Sequence, residues 1–518
     1  MENNRNGNIF LKIGQANEKS ITEKLMLELC EDYRENIRRV DEVLRVKENF
    51  DIIKKTLFLG KDEVTFYYID GFVDSGPMSK LMIYFLSLKS LGEPKEAGGE
   101  AATRFFVEHH LPYVEGEMTN DPALMLQMVL SGTTLMLGET FGSYAVIIDS
   151  RTYPTRSVGE PENDRVMMGA RDGFVETLVF NTALIRRRVR DPRLTMQYLT
   201  VGKQTKTDVA ICYVEGLADP KYVSYLTEKM KRIKTEAVTL GHESVAELLI
   251  KRRWYNPFPK IRYTERPDVA ASQLLEGSVL VICDTSPEVM ILPSTIFDFL
   301  QETNDFYFPP LTGTYIRLVR HLVFWSTLFL IPAWFLMVRN PSYVPPWLQF
   351  VLPEEHGKIS IFVQLILVEL VVDGLRMASM NTPDMLSNSL SVVGGLILGD
   401  FAVSIGWLIP EVIVYMAFVS IANFSQRSYE LGYAFKFMRI LLVILIQCFN
   451  VVGFALGCAV VILLLLSNRT VNGKHSYLYP LFPFNFRAFL SLFVRLRKDC
   501  FPGNVSQSTK ERKENEQS

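Results

Sequence analysis

Beyond about Leu318 the chain changes character. From His321 to Val338 it reads H-L-V-F-W-S-T-L-F-L-I-P-A-W-F-L-M-V, a stretch without formal charge set between Arg317, Arg320 and Arg339. A run this long and this apolar is sufficient to cross a bilayer as a helix, and no other feature limits the architecture as strongly. Further apolar segments run from Ile359 to Leu375, Ser389 to Ile409, Val412 to Asn423 and Ile440 to Leu466. Together they predict an all-α multi-span membrane domain of about five hydrophobic segments over residues 311–468. The fourth segment is short and follows Gly406 and Pro410, so segments three and four read either as a tight hairpin or as one broken helix. Cations near the first span favour an inside N-terminus. Arg427, Lys436 and Arg439 compete with the basic tail from Arg469 to Lys498 for the same side, which leaves the topology parity open.

Mean hydropathy is positive, +0.12, although 22% of the residues are charged, so the apolar residues are segregated into one region. A net charge of -2 over 518 residues gives no basic footprint for nucleic acid. The six cysteines, Cys30, Cys212, Cys283, Cys448, Cys458 and Cys500, form neither a disulfide framework nor a zinc spacing. The opening M-E-N-N-R-N-G-N-I-F lacks an apolar run, which predicts a cytosolic N-terminal region.

That region reads as α+β. Residues 61–73 form an aromatic and β-branched run ending at Gly71, with a helical pattern from Met78 to Leu91. Residues 203–217 repeat it, Tyr213, Glu215 and Gly216 echoing Tyr68, Asp70 and Gly71, with a helix expected from Lys221 to Ile233. Two later apolar strands, Ser143–Asp149 and Ser278–Asp284, extend the echo. The expectation is an internal duplication of two related α/β-mixed subdomains, each a small mixed sheet with helices on one face. Residues 1–156 are the first subdomain and 196–310 the second. Residues 157–195 are a linker with a basic helix, and 469–518 a basic polar tail. On that helix Arg186, Arg187, Arg188 and Arg190 fit a solvated face better than a grip on anionic headgroups.

Chemistry concentrates in the third apolar segment. On a helix Ser391, Gly395, Gly399, Ala402 and Gly406 share a stripe, and Gly395 and Gly399 have the spacing that lets helix backbones approach closely. Beside it runs a second stripe of Val392, Leu396, Asp400 and Ser404. An aspartate near mid-membrane costs roughly 2.5–3.5 kcal/mol on insertion scales, so Asp400 should face protein, a cation or water. In a ring of such helices Asp400 would draw cations and Leu396 would gate by wetting. Pairing of Asp400 with Arg376 inside one subunit, or its protonation, is the even alternative. In the second segment Glu369 is a further ion-path candidate and Asp373 is placed to pair with Arg376, though hydrogen bonding would equally explain Glu369. In the last segment Gln447 and Asn450, with Gly453 and Gly457, read as helix-packing positions.

No phosphate-binding loop, zinc helix or nucleophile elbow occurs, so neither an enzyme, a metal nor a cofactor is expected. Three stretches, Gly169–Leu194, Asn256–Asp268 and Leu390–Asp400, resemble the A-subunit family of GerA-type spore germination receptors, and the likeness covers most of the chain beyond about residue 50. The C-terminal half is most similar to the family's stage V sporulation branch, through L-R-M-A-S-M-N-T-P at 375–383, G-D-F-A-V at 399–403 and P-F-N-F-R-A-F at 483–489. The resemblance implies a multi-pass protein of the spore inner membrane with a two-part cytosolic domain and a pentameric homo-oligomeric ion channel. It places the constriction at Leu396. It also implies partners: B and C subunits for a receptor, or a small membrane protein for the stage V branch, which amplifies ion release. Asp400 departs from the uncharged polar residue of some receptor A subunits, so their selectivity does not transfer. A scaffold that only recruits other germination proteins is the remaining alternative.

Overall fold

The computed structural model describes residues 29–88, 99–111, 116–152, 170–250, 254–302, 304–354, 357–381, 401–426, 428–468 and 476–495. In the first half α1 (Tyr33–Leu44) leads into β1 (Ile52–Leu59) and β2 (Asp62–Ile69). Then come α2 (Ser75–Ser87), α3 (Glu100–His110), β3 (Gly116–Thr119), α4 (Pro122–Leu130), β4 (Thr134–Gly138) and β5 (Ala145–Ile148). The second half is α5 (Leu178–Arg188), β6 (Leu194–Val201), β7 (Thr207–Val214), α6 (Pro220–Lys231), α7 (His242–Leu249), β8 (Arg262–Thr264), α8 (Pro267–Leu275), β9 (Val279–Cys283) and β10 (Val289–Leu292).

Each half closes one five-stranded sheet, in the order β1-β2-β4-β5-β3 and then β6-β7-β9-β10-β8, which is the same topology twice. The repeat reaches individual side chains. Asn36 hooks the backbone N–H and C=O of Cys30, and Asn181 does the same to Val175. Asp74 caps α2 and Asp219 caps α6, each accepting a backbone N–H two residues on. These pairs, together with Pro122 and Pro267 and with Gly132 and Gly277, share a constant spacing of 145 residues. Gly132 and Gly277 both hold φ near the left-handed region, +103° and +93°, where a side chain would be strained.

Two expectations are corrected. The sheets are not mixed, since every described ladder is antiparallel. Nor do the helices share one face. In the first sheet Tyr67, Leu135 and Ile147 point toward α1 and α4, while Phe66, Met136 and Val146 point toward α2 and α3. Burial on both faces explains why β4, β5, β9 and β10 read as unbroken apolar runs rather than alternating ones. Topology also reassigns the echo between late strands: β5 is matched by β10, and β9 by β4.

Helix α5 lies inside the stretch expected as linker and basic helix, and it packs into both halves. Ala183 joins the first core, and Leu184 and Ile185 join the second. Arg186 is therefore not on a solvated face. Fully buried, its Nε and Nη2 donate to the Asp51 carboxylate at 2.8 and 3.0 Å, and its Nη1 donates to the Leu194 carbonyl at 3.1 Å. A planar donor fork that matches a carboxylate is what lets a charge sit at such a junction.

The C-terminal helices are α9 (Pro310–Arg339), α10 (Ile361–Asn381), α11 (Pro410–Phe424), α12 (Tyr429–Ser467) and α13 (Phe486–Phe493). Two, α9 and α12, are long and apolar enough to cross a membrane. Helix α12 is not one rod. Asn450 has non-helical dihedrals, φ 54° and ψ -128°, and the chain folds back there. Gly453 and Gly457 face the first arm: a Cβ on Gly453 would lie 1.9 Å from the Leu445 carbonyl oxygen, and one on Gly457 2.4 Å from Leu442 Cδ2. At the far end of the returning arm, Leu464 and Asn468 bond to Asn256 and Phe258 of the soluble part. The last apolar segment thus reads from sequence as one span and folds as an antiparallel hairpin, so residues 428 and 468 lie at the same level.

Candidate functional site

The stripe residues Val392, Gly395, Leu396, Gly399 and Asp400 lie outside the described residues. What the structure positions is their surroundings. Ser404 is exposed in a short helical turn, its Oγ donating to the Phe401 carbonyl at 2.9 Å. The chain then turns at Gly406, φ +77°, and α11 starts at Pro410, so residues 401–424 are not one continuous helix. Residues before α10 clasp this turn: Lys358 N donates to the Gly406 carbonyl at 2.9 Å, and Lys358 Nζ to that of Ile405 at 2.7 Å. The Gln364 amide accepts from Ile409 N at 3.0 Å.

At the other end of α10 the Arg376 guanidinium lies 4.9–5.2 Å from the ring centres of Phe424, Tyr429 and Tyr433. Helices α10 and α11 therefore run parallel. The described residues that flank 382–400 sit at opposite ends of α10: Asn381 ends it, one turn beyond the Arg376 that lies over Tyr429, and Phe401 opens the turn that Lys358 clasps before its start.

Between these ends is a buried charge cluster. Glu369 accepts from Arg439 Nε at 2.7 Å and Nη2 at 2.5 Å, and Lys436 Nζ lies 3.2 Å from its second oxygen. Arg439 Nη1 also donates to the Thr327 carbonyl of α9 at 2.5 Å. Asp373 takes Lys436 as its partner, where the sequence suggests Arg376. Glu369, Lys436 and Arg439 are all buried. Thr327 is six residues beyond His321, so the cluster sits about 9 Å into the apolar stretch. Glu369, an ion-path candidate by sequence, here has both oxygens engaged by cations of its own chain.

Sequence reading missed Lys436 and Arg439 as its partners, treating them as topology markers. The available signal was complementary spacing: two acids one turn apart on one helix, and two bases one turn apart on another. At the far end of the bundle Arg339 donates to Gln447 Oε1 at 2.6 Å, and Asn340 and Asn450 exchange amide hydrogen bonds at 2.6 and 2.8 Å.

A second charged layer ties α9 to the soluble part. Fully buried Asp305 pairs with Arg317 at 2.9 Å and Arg320 at 2.7 Å, and Arg320 reaches Glu302 at 3.0 Å. Nearby, burial raises the Asp268 carboxyl, but the Arg266 guanidinium, 2.6–3.0 Å away, outweighs it and holds its pKa below the ordinary value.

A duplicated α/β region seated by buried ion pairs on apolar helices defines a membrane protein with a large soluble portion. The family described as Bacillus/Clostridium GerA spore germination protein matches residues 41–501, and the chain belongs to that family. Stage V sporulation protein AF of Bacillus subtilis (strain 168) is 38% identical over 87% of this chain and 90% of its own length. Spore germination protein KA of the same organism is 26% identical over 91% of this chain and 87% of its own. The crystal structure of the N-terminal domain of the A subunit of the Bacillus megaterium spore germinant receptor GerK3 is 24% identical. It covers 51% of this chain and 95% of that one, with a TM-score of 0.39. This is a germination membrane protein of the GerA family.

Proposed function

We propose that the chain is a subunit of a pentameric ion channel in the spore inner membrane that releases monovalent cations during germination, as in the stage V sporulation branch. The observation that carries this reading is the placement of Asn381 and Phe401 at opposite ends of α10. A segment joining them, whose sequence has the close-packing spacing of Gly395 and Gly399 and an acidic Asp400, suits a pore-lining crossing. Leu396 is then the gate, Asp400 the cation-selecting ring, and Val392 and Ser404 line the path above and below. Counting the two arms of α12 separately and adding this crossing gives an even number of spans, with both termini on the spore-core side. Glu369 serves as an anchor between helices rather than as a conducting site.

Purified protein reconstituted in vesicles should carry monovalent-cation current. Leu396→Ala should leak without a trigger, and Asp400→Asn should lower cation over anion selectivity. Absence of current in wild type and of leak in Leu396→Ala would reject the pore. A second reading, a receptor A subunit acting with B and C subunits, is favoured by the likeness to spore germination protein KA along nearly the whole chain. Copurification separates the two. Retention of B- and C-type subunits supports the receptor, and retention of a small membrane protein supports the stage V reading.

A further inference from the structure

The segment 476–495 is not accounted for by a pore. It folds back beneath the soluble part, where the Tyr477 carbonyl accepts from Ile296 N at 3.0 Å, and ends in α13 lying along the first turns of α9. Three contacts fix α13 there. The Ser491 carbonyl accepts from Arg317 Nη1 at 2.6 Å, the Leu492 carbonyl meets His321 Nε2 at 3.2 Å, and Arg495 N donates to Thr314 Oγ1 at 3.1 Å. One edge of this segment is thus buried with Phe489, Leu492 and Phe493 against α9. At the start of α13, Phe482, Phe484 and Phe486 are each 60–66% exposed, with the Phe484 ring 5.8 Å from that of Phe489, so three phenyl rings stand open on a fixed support.

Such rings in water would form an apolar patch with no purpose in a soluble surface. Their level says what covers them. The contacts to Thr314, Arg317 and His321 place α13 where the charged base of α9 gives way to its uncharged stretch, beside the exposed Leu318 and Leu322 of that helix. That is the depth of the headgroup–acyl boundary for a span beginning near His321. In sequence Arg495 is followed at once by Arg497 and Lys498, a composition that anionic headgroups attract.

We propose that segment 476–495 is an interfacial foot, with Phe482, Phe484 and Phe486 sunk into the boundary layer of an anionic bilayer. This rests on the reading of α9 and α12 as membrane spans. The foot fixes the height of the soluble part above the bilayer, because one segment bonds to Ile296 through Tyr477 and to α9 through Ser491, Leu492 and Arg495.

The test uses the full chain in vesicles of phosphatidylglycerol and phosphatidylethanolamine. Cys30, Cys448, Cys458 and Cys500 are replaced by serine, and a bimane fluorophore is placed on Phe484→Cys or, as control, on Leu456→Cys, exposed midway along the returning arm of α12. A label at Phe484 should be quenched by shallow doxyl lipid about twofold more than by deep doxyl lipid, the signature of a group 5–10 Å into the boundary. In phosphatidylcholine vesicles that shallow quenching should fall by about half, as the attraction to anionic lipid is removed. Quenching by aqueous iodide with none by lipid would overturn the foot, as would shielding from both, the result expected if a second copy covers the rings. Equal shallow quenching in both lipids would overturn the anionic preference. If the Leu456 control is not quenched by deep doxyl lipid, the membrane reading itself fails. A quenched control with an unquenched Phe484 label rejects the foot alone.

Discussion

Replacing Glu369 with alanine leaves Arg439 and Lys436, whose side chains are only 4% and 6% exposed, with Asp373 as the one remaining carboxylate among the described residues. Asp373 pairs with Lys436, so the guanidinium of Arg439 loses its counter-charge and keeps the Thr327 carbonyl as its acceptor. Removing one member of a buried pair costs about 3–5 kcal/mol, most of it the penalty of a buried charge without a partner. Glu369→Gln keeps the shape and one acceptor and should cost about half as much, roughly 2 kcal/mol. Unfolding by dodecyl sulfate in mixed maltoside micelles measures the loss. The decisive comparison adds Arg439→Met. If the charges are coupled as their geometry requires, the double variant Glu369→Ala with Arg439→Met should recover at least about 2 kcal/mol relative to the sum of the single changes. Additive losses, or a Glu369→Ala protein as stable as wild type, would refute a cluster held by mutual compensation.

Gly453→Ala should destabilise the α12 hairpin by about 1–3 kcal/mol and lower its thermal midpoint in detergent, because its Cβ would strike a backbone carbonyl that cannot swing aside. Maleimide at pH 8 should leave Cys212 and Cys283 unmodified in the native protein and label both after denaturation. Burial pushes the Cys283 thiol up to about 12 and raises that of Cys212 as well, so neither forms the reactive thiolate; rapid native labelling of either would contradict the packing. Asp268 has a folded pKa below its unfolded value of about 3.9, so its stabilisation is present above that pH and disappears as pH falls through the lower folded value. Asp268→Asn should accordingly melt below wild type at pH 7 and converge with it in acid, and a deficit that stays unchanged as pH falls through the unfolded value and beyond would argue against the Arg266 pairing.

Much of the soluble fold is legible in the residues. The Tyr68, Asp70, Gly71 echo at Tyr213, Glu215 and Gly216 marks equivalent ends of β2 and β7, because a strand leading into a left-handed turn needs the same residue types each time. Strand equivalence later in each half was misjudged from Ser143–Asp149 and Ser278–Asp284. Buried apolar strands look alike, and only hydrogen-bonded neighbours distinguish β4 from β5. Of the basic run on α5, Arg187 and Arg190 are exposed as expected while Arg186 is not, for a related reason: charge in sequence says nothing of whether a carboxylate from another segment, here Asp51, will come to meet it.

In the helical part, local composition announced apolar helices, and the glycine pair at 453 and 457 announced close packing. It could not announce the reversal at Asn450, since an uninterrupted apolar run is compatible with a rod or a hairpin until its neighbours are known. What the sequence alone determined is therefore local: where chain segments are apolar, where turns need glycine, and that one motif is used twice. Tertiary structure alone decided the pairing of Glu369 with Arg439, the burial of Arg186, and the opposite levels of Asn381 and Phe401. Each depends on two segments far apart in the chain, and the energy of a buried charge is set by what lies across the contact rather than by its own neighbours in sequence.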